Sequence, residues 1–97
     1  MPPTPLTPLA IEHRPQQHCF QSIVEGLRCV LDYRLDGSVL TIAYTGVPPP
    51  LEGRGIAAQL TQAALDHART HGLTINPVCS YARAYMRRRP ETLDLLA

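Results

Sequence analysis

The chain lacks several features that define familiar classes of protein. Its 97 residues include no lysine and no tryptophan, and no stretch approaches the roughly 18 consecutive apolar residues that can span a bilayer. Without lysine, a P-loop for nucleotides is excluded. The N-terminus lacks the basic and apolar regions of a secretory signal. The missing apolar run predicts that the chain has no membrane segment, and the missing signal predicts a cytoplasmic location. The three cysteines are odd in number and widely spaced, which predicts reduced thiols.

Composition and charge limit the domain organisation. Residues 1–10 are rich in proline, so we expect a flexible, extended lead-in followed by one folded domain over residues 11–97. A hydrophobic content of 44% fits one modest core. A net charge of +1, without interleaved aromatic and basic residues, argues against nucleic-acid binding. We expect a monomer or at most a weak homodimer.

The first half of the chain has the pattern of a β-meander. Alternating hydrophobicity predicts strands over residues 11–14, 19–24, 27–35 and 39–45. The last three strands are joined by short breaks at Glu25-Gly26 and Asp36-Gly37, and the second break is a strong hairpin signal. Prolines 48–50 cannot donate to a ladder, so the fourth strand must end near Val47.

The second half predicts one crossover. Apolar residues recur at helical spacing over residues 55–71, and Gly72 follows where a helix C-cap is expected. A buried strand over residues 73–78 would then lie parallel to the fourth strand. A second helix over residues 80–88 ends before Pro90. The predicted order is β-β-β-β-α-β-α, an α+β or mixed α/β fold.

A glycine-spaced turn opens directly into the first helix. Gly53 and Gly55 let the backbone turn sharply and approach a ligand, while Ala57 and Ala58 keep the first helical turn uncrowded. The unpaired N–H groups at this end, with the positive end of the helix macrodipole behind them, predict an anion site such as a diphosphate cradle. The turn formally fits the dinucleotide fingerprint, but hairpin-linked strands precede it and residues 73–78 contain no acidic residue.

All nine basic residues are arginine, and four of them lie close together near the C-terminus: Arg83, Arg87, Arg88 and Arg89. Such a run suits phosphate recognition, although a solvated helix face explains it equally well. His67 and His71 lie one helical turn apart, but a third ligand at suitable spacing is missing, so we expect no metal site.

Two segments resemble the small single-domain branch of the GNAT superfamily of N-acetyltransferases. They are residues 47–57 with the helix that follows, and residues 77–91. The resemblance covers roughly residues 11–97. It implies a GNAT-like acyl-CoA-binding domain that takes acetyl-CoA and transfers acetyl to a primary amine of a small molecule or peptide. The pyrophosphate would lie on the loop of residues 53–58 and the pantetheine arm along residues 45–47.

The resemblance and the arginine run together give an expected set of cofactor contacts: Thr45, Gly46, Val47, Gly53, Arg54, Gly55, Ile56, Ala57, Ala58, Cys79, Arg87 and Arg88. A cysteine at the position of Cys79 lies near the CoA thiol end in this branch and is a candidate acetyl carrier. Its place just before a helix also favours a lowered thiol pKa. Tyr85, which shares a helix face with Tyr81, is a weaker candidate proton donor, with core packing as the alternative.

The sequence departs from the branch at positions that bear on activity. Glu52 stands where the family loop usually begins with Gln or Arg, and Tyr44-Thr45-Gly46 replaces His-Thr-Glu. Arg89 stands where a His commonly precedes Pro-Glu. The alternative function is therefore a CoA-binding module with little or no turnover that acts in sensing or protein interaction. A third possibility is a proline-led adaptor without a ligand, in which the glycine loop is only structural.

Overall fold

The computed structural model describes residues 9–97. It has the predicted order β-β-β-β-α-β-α, with two short 3₁₀ turns in the connections and a third after the last helix. The strands are β1 (Glu12–Arg14), β2 (Cys19–Val24), β3 (Leu27–Asp36), β4 (Val39–Gly46) and β5 (Thr74–Pro77); the helices are α1 (Ile56–Thr70) and α2 (Ser80–Arg87); the 3₁₀ turns are Pro15–Gln17, Pro49–Leu51 and Pro90–Leu95.

The described residues form one five-stranded sheet in the order β1-β2-β3-β4-β5. Strands β1 to β4 are antiparallel, and β5 runs parallel to β4, which confirms the predicted crossover. β1 pairs with β2 along its whole length, so the antiparallel meander has four strands.

The core lies between the sheet and the helices. Leu31, Leu40 and Ile42 of the sheet belong to one buried cluster with the apolar side of α1 and with Met86 of α2. The α1 residues in this cluster are Ile56, Leu60, Ala64, Leu65 and Ala68, and the burial of each large aliphatic side chain contributes about 1.5–3 kcal/mol.

A β-bulge at Ala43 positions the site. Tyr33 of β3 pairs with Ile42, whereas the preceding Asp32 pairs with Tyr44, so Ala43 has no partner on β3. Pairing between β4 and β5 also ends at Ile42. Beyond that point β4 follows β3 alone, so its other edge, including Thr45, is left without a strand partner.

The N-terminal lead-in is described only from Leu9 onward, and the rest of the predicted segment 1–10 lies outside the described residues. The Leu9 N–H donates to Gln59 Oε1 on α1 at 2.9 Å, and the Leu9 side chain packs against the core. Contacts with the domain therefore begin before Ile11.

Candidate functional site

The glycine loop, residues 52–55, connects the 3₁₀ turn after β4 to α1. Gly53 and Gly55 have φ values of +81° and +78°, in the left-handed region that disfavours other residues. A Cβ at Gly53 would meet nothing within 4 Å, so backbone conformation rather than space requires glycine there. Leu51, fully buried just before the loop, anchors it to the core.

The loop leaves the N-terminal end of α1 open. Gly55 is the N-cap residue, and no side chain caps this end. The first N–H groups of a helix have no intrahelical acceptor and carry the positive end of the macrodipole. Ile56 and Ala57, at this end, line a cavity of about 450 Å³, a size that holds a small ligand or part of a larger one.

The unpaired edge of β4 also lines this cavity, which we call the loop cavity. Its lining residues are Thr45, Val47, Leu51, Glu52, Gly53, Gly55, Ile56, Ala57 and Tyr81. The structure therefore brings together Thr45, Val47 and most of the loop residues that the sequence singled out. Gly46 and Arg54 are not part of the lining.

Gly46 packs against the ring of Tyr44. A Cβ at Gly46 would lie 2.5 Å from the Tyr44 hydroxyl oxygen and 2.7 Å from a ring carbon, so the Tyr44 ring lies over Gly46. Since alternate residues of a strand share a face, both lie on the face opposite Thr45. The departures at Tyr44 and Gly46 are thus one packing unit, in which the glycine makes room for the ring.

Cys79 lies between β5 and α2 and is half-buried. Its N–H donates to the Ile42 carbonyl at 2.9 Å, and its thiol lies 3.7 Å from Thr45 Oγ1. Burial opposes ionisation of the thiol, but hydrogen bonds from the Ala82 backbone, the Thr45 side chain and the Tyr81 backbone outweigh it and hold the Cys79 pKa below its usual value. Cys79 adjoins the loop cavity through Thr45 and is not in its lining.

Tyr85 is held in packing contacts. Its hydroxyl donates to Gln62 Oε1 on α1, and the Arg89 guanidinium lies over its ring at 3.8 Å from the centroid. Burial raises the pKa of this hydroxyl, and Arg89 partly offsets that effect. These contacts favour the packing alternative for Tyr85. Tyr81, 39% exposed, lines the loop cavity instead.

The arginines occupy different places. Arg88 and Arg89 line a second cavity of about 440 Å³ between α1 and α2, together with Ala58, Tyr81, Ala84 and Tyr85. This α1–α2 cavity shares Tyr81 with the loop cavity. Arg87 is exposed and lines neither, whereas Arg83 donates to the carbonyls of Pro77 and Val78.

Arg54 points to an acceptor that the sequence reasoning did not consider. Its guanidinium forms an ion pair with Glu25 in the turn between β2 and β3. Sequence reasoning identified Glu25 only as part of a turn. The signal that could have singled it out is a glutamate, rather than Asn, Asp or Gly, at a position that requires a left-handed backbone.

The histidines gather at the other end of α1. His13 stacks on Phe20 at 4.2 Å between ring centroids and meets His67 edge-on at 4.5 Å, and His67 stacks on His71 at 4.1 Å. His13 Nε2 lies 2.6 Å from the Tyr33 hydroxyl oxygen. We call these five residues the histidine cluster. Over residues 9–97, no group of His, Cys, Asp or Glu is arranged to hold a metal ion. In the same part of the chain, neither helix is long and apolar enough to cross a membrane.

Comparison with known proteins agrees with this geometry. The family model described as GCN5-related N-acetyl-transferase matches residues 19–95. Protein NATD1 of mouse is 34% identical over 86 residues, which cover 86% of the chain and 78% of that protein. The human NATD1 is 33% identical, with coverage of 86% and 76%. The NMR solution structure of a GCN5-like protein from Staphylococcus aureus superposes with a TM-score of 0.73 at 26% identity, over 94% of this chain and 90% of that one.

Proposed function

Since the chain belongs to the GCN5-related N-acetyltransferase family, we propose that it binds acetyl-CoA in the loop cavity and transfers the acetyl group to the primary amine of a small molecule or peptide. The observation that carries this proposal is the uncapped N-terminal end of α1, which faces a cavity beside the unpaired edge of β4.

The residues present fit the proposed ligand. Backbone N–H groups at Ile56 and Ala57 suit a diphosphate, because they add hydrogen bonds to the field of the helix dipole. The unpaired edge of β4 offers backbone groups for the amide-containing pantetheine arm, in the manner of an added strand. Arg88 and Arg89 in the adjoining α1–α2 cavity offer cations for further phosphate.

The chemistry asked of the protein is modest. Acetyl-CoA supplies a reactive thioester, so the chain must hold it, exclude water and admit a neutral amine. Two routes for the acetyl group are compatible with these residues. The amine attacks the thioester directly, or the Cys79 thiolate attacks first, displaces the CoA thiolate and passes the acetyl group to the amine. Cys79 adjoins Thr45 rather than a histidine or carboxylate, so we favour direct attack.

The second candidate function is a CoA-binding module that does not turn over. Its support is the packing of Tyr44 over Gly46, on the strand where the small branch usually carries His and Glu. The titratable side chains in the cavity lining are Glu52 and Tyr81. Burial raises the pKa of Tyr81, although Arg89 and Arg88 partly offset this, so its hydroxyl remains protonated near neutral pH.

Consumption of the acetyl-CoA thioester, measured with and without a panel of amines, tests the proposal. Amine-dependent consumption supports the enzyme, and CoA binding without consumption by any amine supports the module. Cys79→Ala separates the two routes: direct attack predicts a modest loss of turnover, and a covalent route predicts near-complete loss with CoA affinity retained. Intact mass after mixing with acetyl-CoA alone reports any acetyl-cysteine.

A further inference from the structure

One ion pair ties the glycine loop to a distant turn. Arg54 Nη1 contacts Glu25 Oε2, across 29 residues of sequence. Arg54 belongs to the loop that opens α1, while Glu25 belongs to the two-residue turn between β2 and β3. The one cation of the loop is therefore already held by a carboxylate of the same molecule.

Glu25 lies at a backbone position where glutamate is unusual. Glu25 and Gly26 have φ values of +52° and +78°, the pattern of a tight hairpin turn with both central residues in the left-handed region. Such turns strongly prefer Asn, Asp or Gly at the first position, and a glutamate there is unfavourable. The local turn thus does not explain the residue. Its carboxylate instead has a partner outside the turn, the guanidinium of Arg54.

The ion pair between Arg54 and Glu25 is weak enough for a ligand to displace. The two side chains are 48% and 61% exposed, and an exposed ion pair changes an equilibrium by only about twofold to fivefold. The structure shows a single nitrogen–oxygen contact between Arg54 and Glu25, whereas a phosphate group can accept two parallel, charge-assisted hydrogen bonds from one Arg, which adds energy and geometric specificity. Glu52, in the loop cavity lining, adds a second carboxylate to the same region.

We propose that Glu25 competes with the phosphates of the ligand for Arg54, and so sets how tightly the glycine loop holds a diphosphate. This inference rests on the proposed function. Free protein holds Arg54 on Glu25, and bound ligand takes the guanidinium over. Glu25 is thereby an affinity-determining residue that touches neither the reacting atoms nor the cavity wall.

Calorimetric titration with CoA, on the native protein and five variants, tests this proposal. Glu25→Gln removes the charge, and Glu25→Asn removes it while suiting the left-handed turn. Both should bind CoA about twofold to fivefold more tightly than the native protein. The matched control is Glu12→Gln, because Glu12 is 60% exposed and pairs with an arginine, Arg14, at 3.6 Å on the sheet edge. Its affinity should stay native.

Arg54→Gln provides the decisive comparison. In that background, adding Glu25→Gln should no longer tighten binding, because the guanidinium for which Glu25 and the phosphates compete is absent. An equal gain with and without Arg54 would overturn the proposal in favour of a general charge effect, as would native affinity for Glu25→Gln. In both cases the proposed function survives. If neither the native chain nor any variant binds CoA, the proposed function fails and the inference fails with it.

Discussion

The two ends of α1 differ in how their backbone groups are capped. At the C-terminal end, the His71 and Leu73 N–H groups donate to the carbonyls of His67 and Ala68, and Gly72 turns the chain at a φ of +68°. At the N-terminal end, Gly55 also turns the chain at positive φ, but no side chain caps the helix and a cavity adjoins it. The same device, a left-handed glycine, closes one end and leaves the other open to a ligand.

The contrast extends to packing. The closed end is surrounded by the aromatic and imidazole rings of the histidine cluster, which join β1, β2 and α1. The open end adjoins the loop cavity, to which Ala57 contributes, and the α1–α2 cavity, to which Ala58 contributes. We infer that the closed end supplies stability, so that the open end can keep unpaired N–H groups for binding.

The largest expected effect is on the closed end. Phe20 is 3% exposed and lies under His13, so Phe20→Ala should lower the free energy of unfolding by about 3–5 kcal/mol. The folded fraction should bind CoA with native affinity. Ile23→Ala, at a position on the same strand that is 58% exposed, is the matched control. If Phe20→Ala does not fold, Phe20→Leu serves in its place. A loss of CoA affinity in the folded variant would mean that the two ends are not independent.

A smaller effect is an acid sensitivity confined to the closed end. Burial, and then repulsion from His71, lower the pKa of His13; burial, and then repulsion from His13 and His71, lower that of His67. The unfolded chain therefore takes up protons first as the pH falls. The contribution of His13 and His67 to the free energy of unfolding is therefore fully present above their unfolded pKa of 6.5. It declines as the pH falls from there toward the lower pKa values of the folded state.

Urea unfolding at about pH 7 and about pH 5 measures this decline. The double variant His13→Gln/His67→Gln should lose part of the pH dependence, and the exposed His18→Gln should keep it. An unchanged pH dependence in the double variant would remove the histidine cluster as its source.

The smallest expected effect concerns the thiol beside the open end. The Thr45 side chain is one of the groups that lower the Cys79 pKa, so Thr45→Val should raise that pKa. The pH profile of iodoacetamide alkylation, followed on the Cys79 peptide, should shift upward. Thr41→Val, at a buried threonine on the same strand, should leave the profile in place. A profile unmoved by Thr45→Val would assign the lowered pKa to the backbone groups alone.

Sequence reasoning recovered the elements and the loop for a physical reason. Glycine and proline mark the turns at Gly53, Gly55 and residues 48–50, and the helical period of α1 is strong. The family resemblance added the expected ligand, and the family itself is confirmed. These signals are local, so they can be read without knowing the fold.

The remaining features depend on contacts between distant residues. No residue type in the sequence marks the bulge at Ala43, which directly follows the last residue of β4 that pairs with β5. The ion pair of Arg54 with Glu25 and the meeting of His13 with His67 join segments that are far apart in the chain. Periodicity could place each residue on a strand, a turn or a helix, but it could not give the partner.

The central claim is that the open end of α1 holds the diphosphate, and a matched pair of glycines tests it most directly. Gly53 and Gly72 both have positive φ, and a Cβ at either would meet nothing within 4 Å. Gly53→Ala and Gly72→Ala should therefore strain the backbone by a similar amount, about 1–2 kcal/mol. Calorimetric titration with CoA should give native affinity for Gly72→Ala and at least about tenfold weaker binding for Gly53→Ala, because relief of the strain moves the loop N–H groups. Equal affinity of the two variants, or no binding of millimolar CoA by the native chain, would contradict the account.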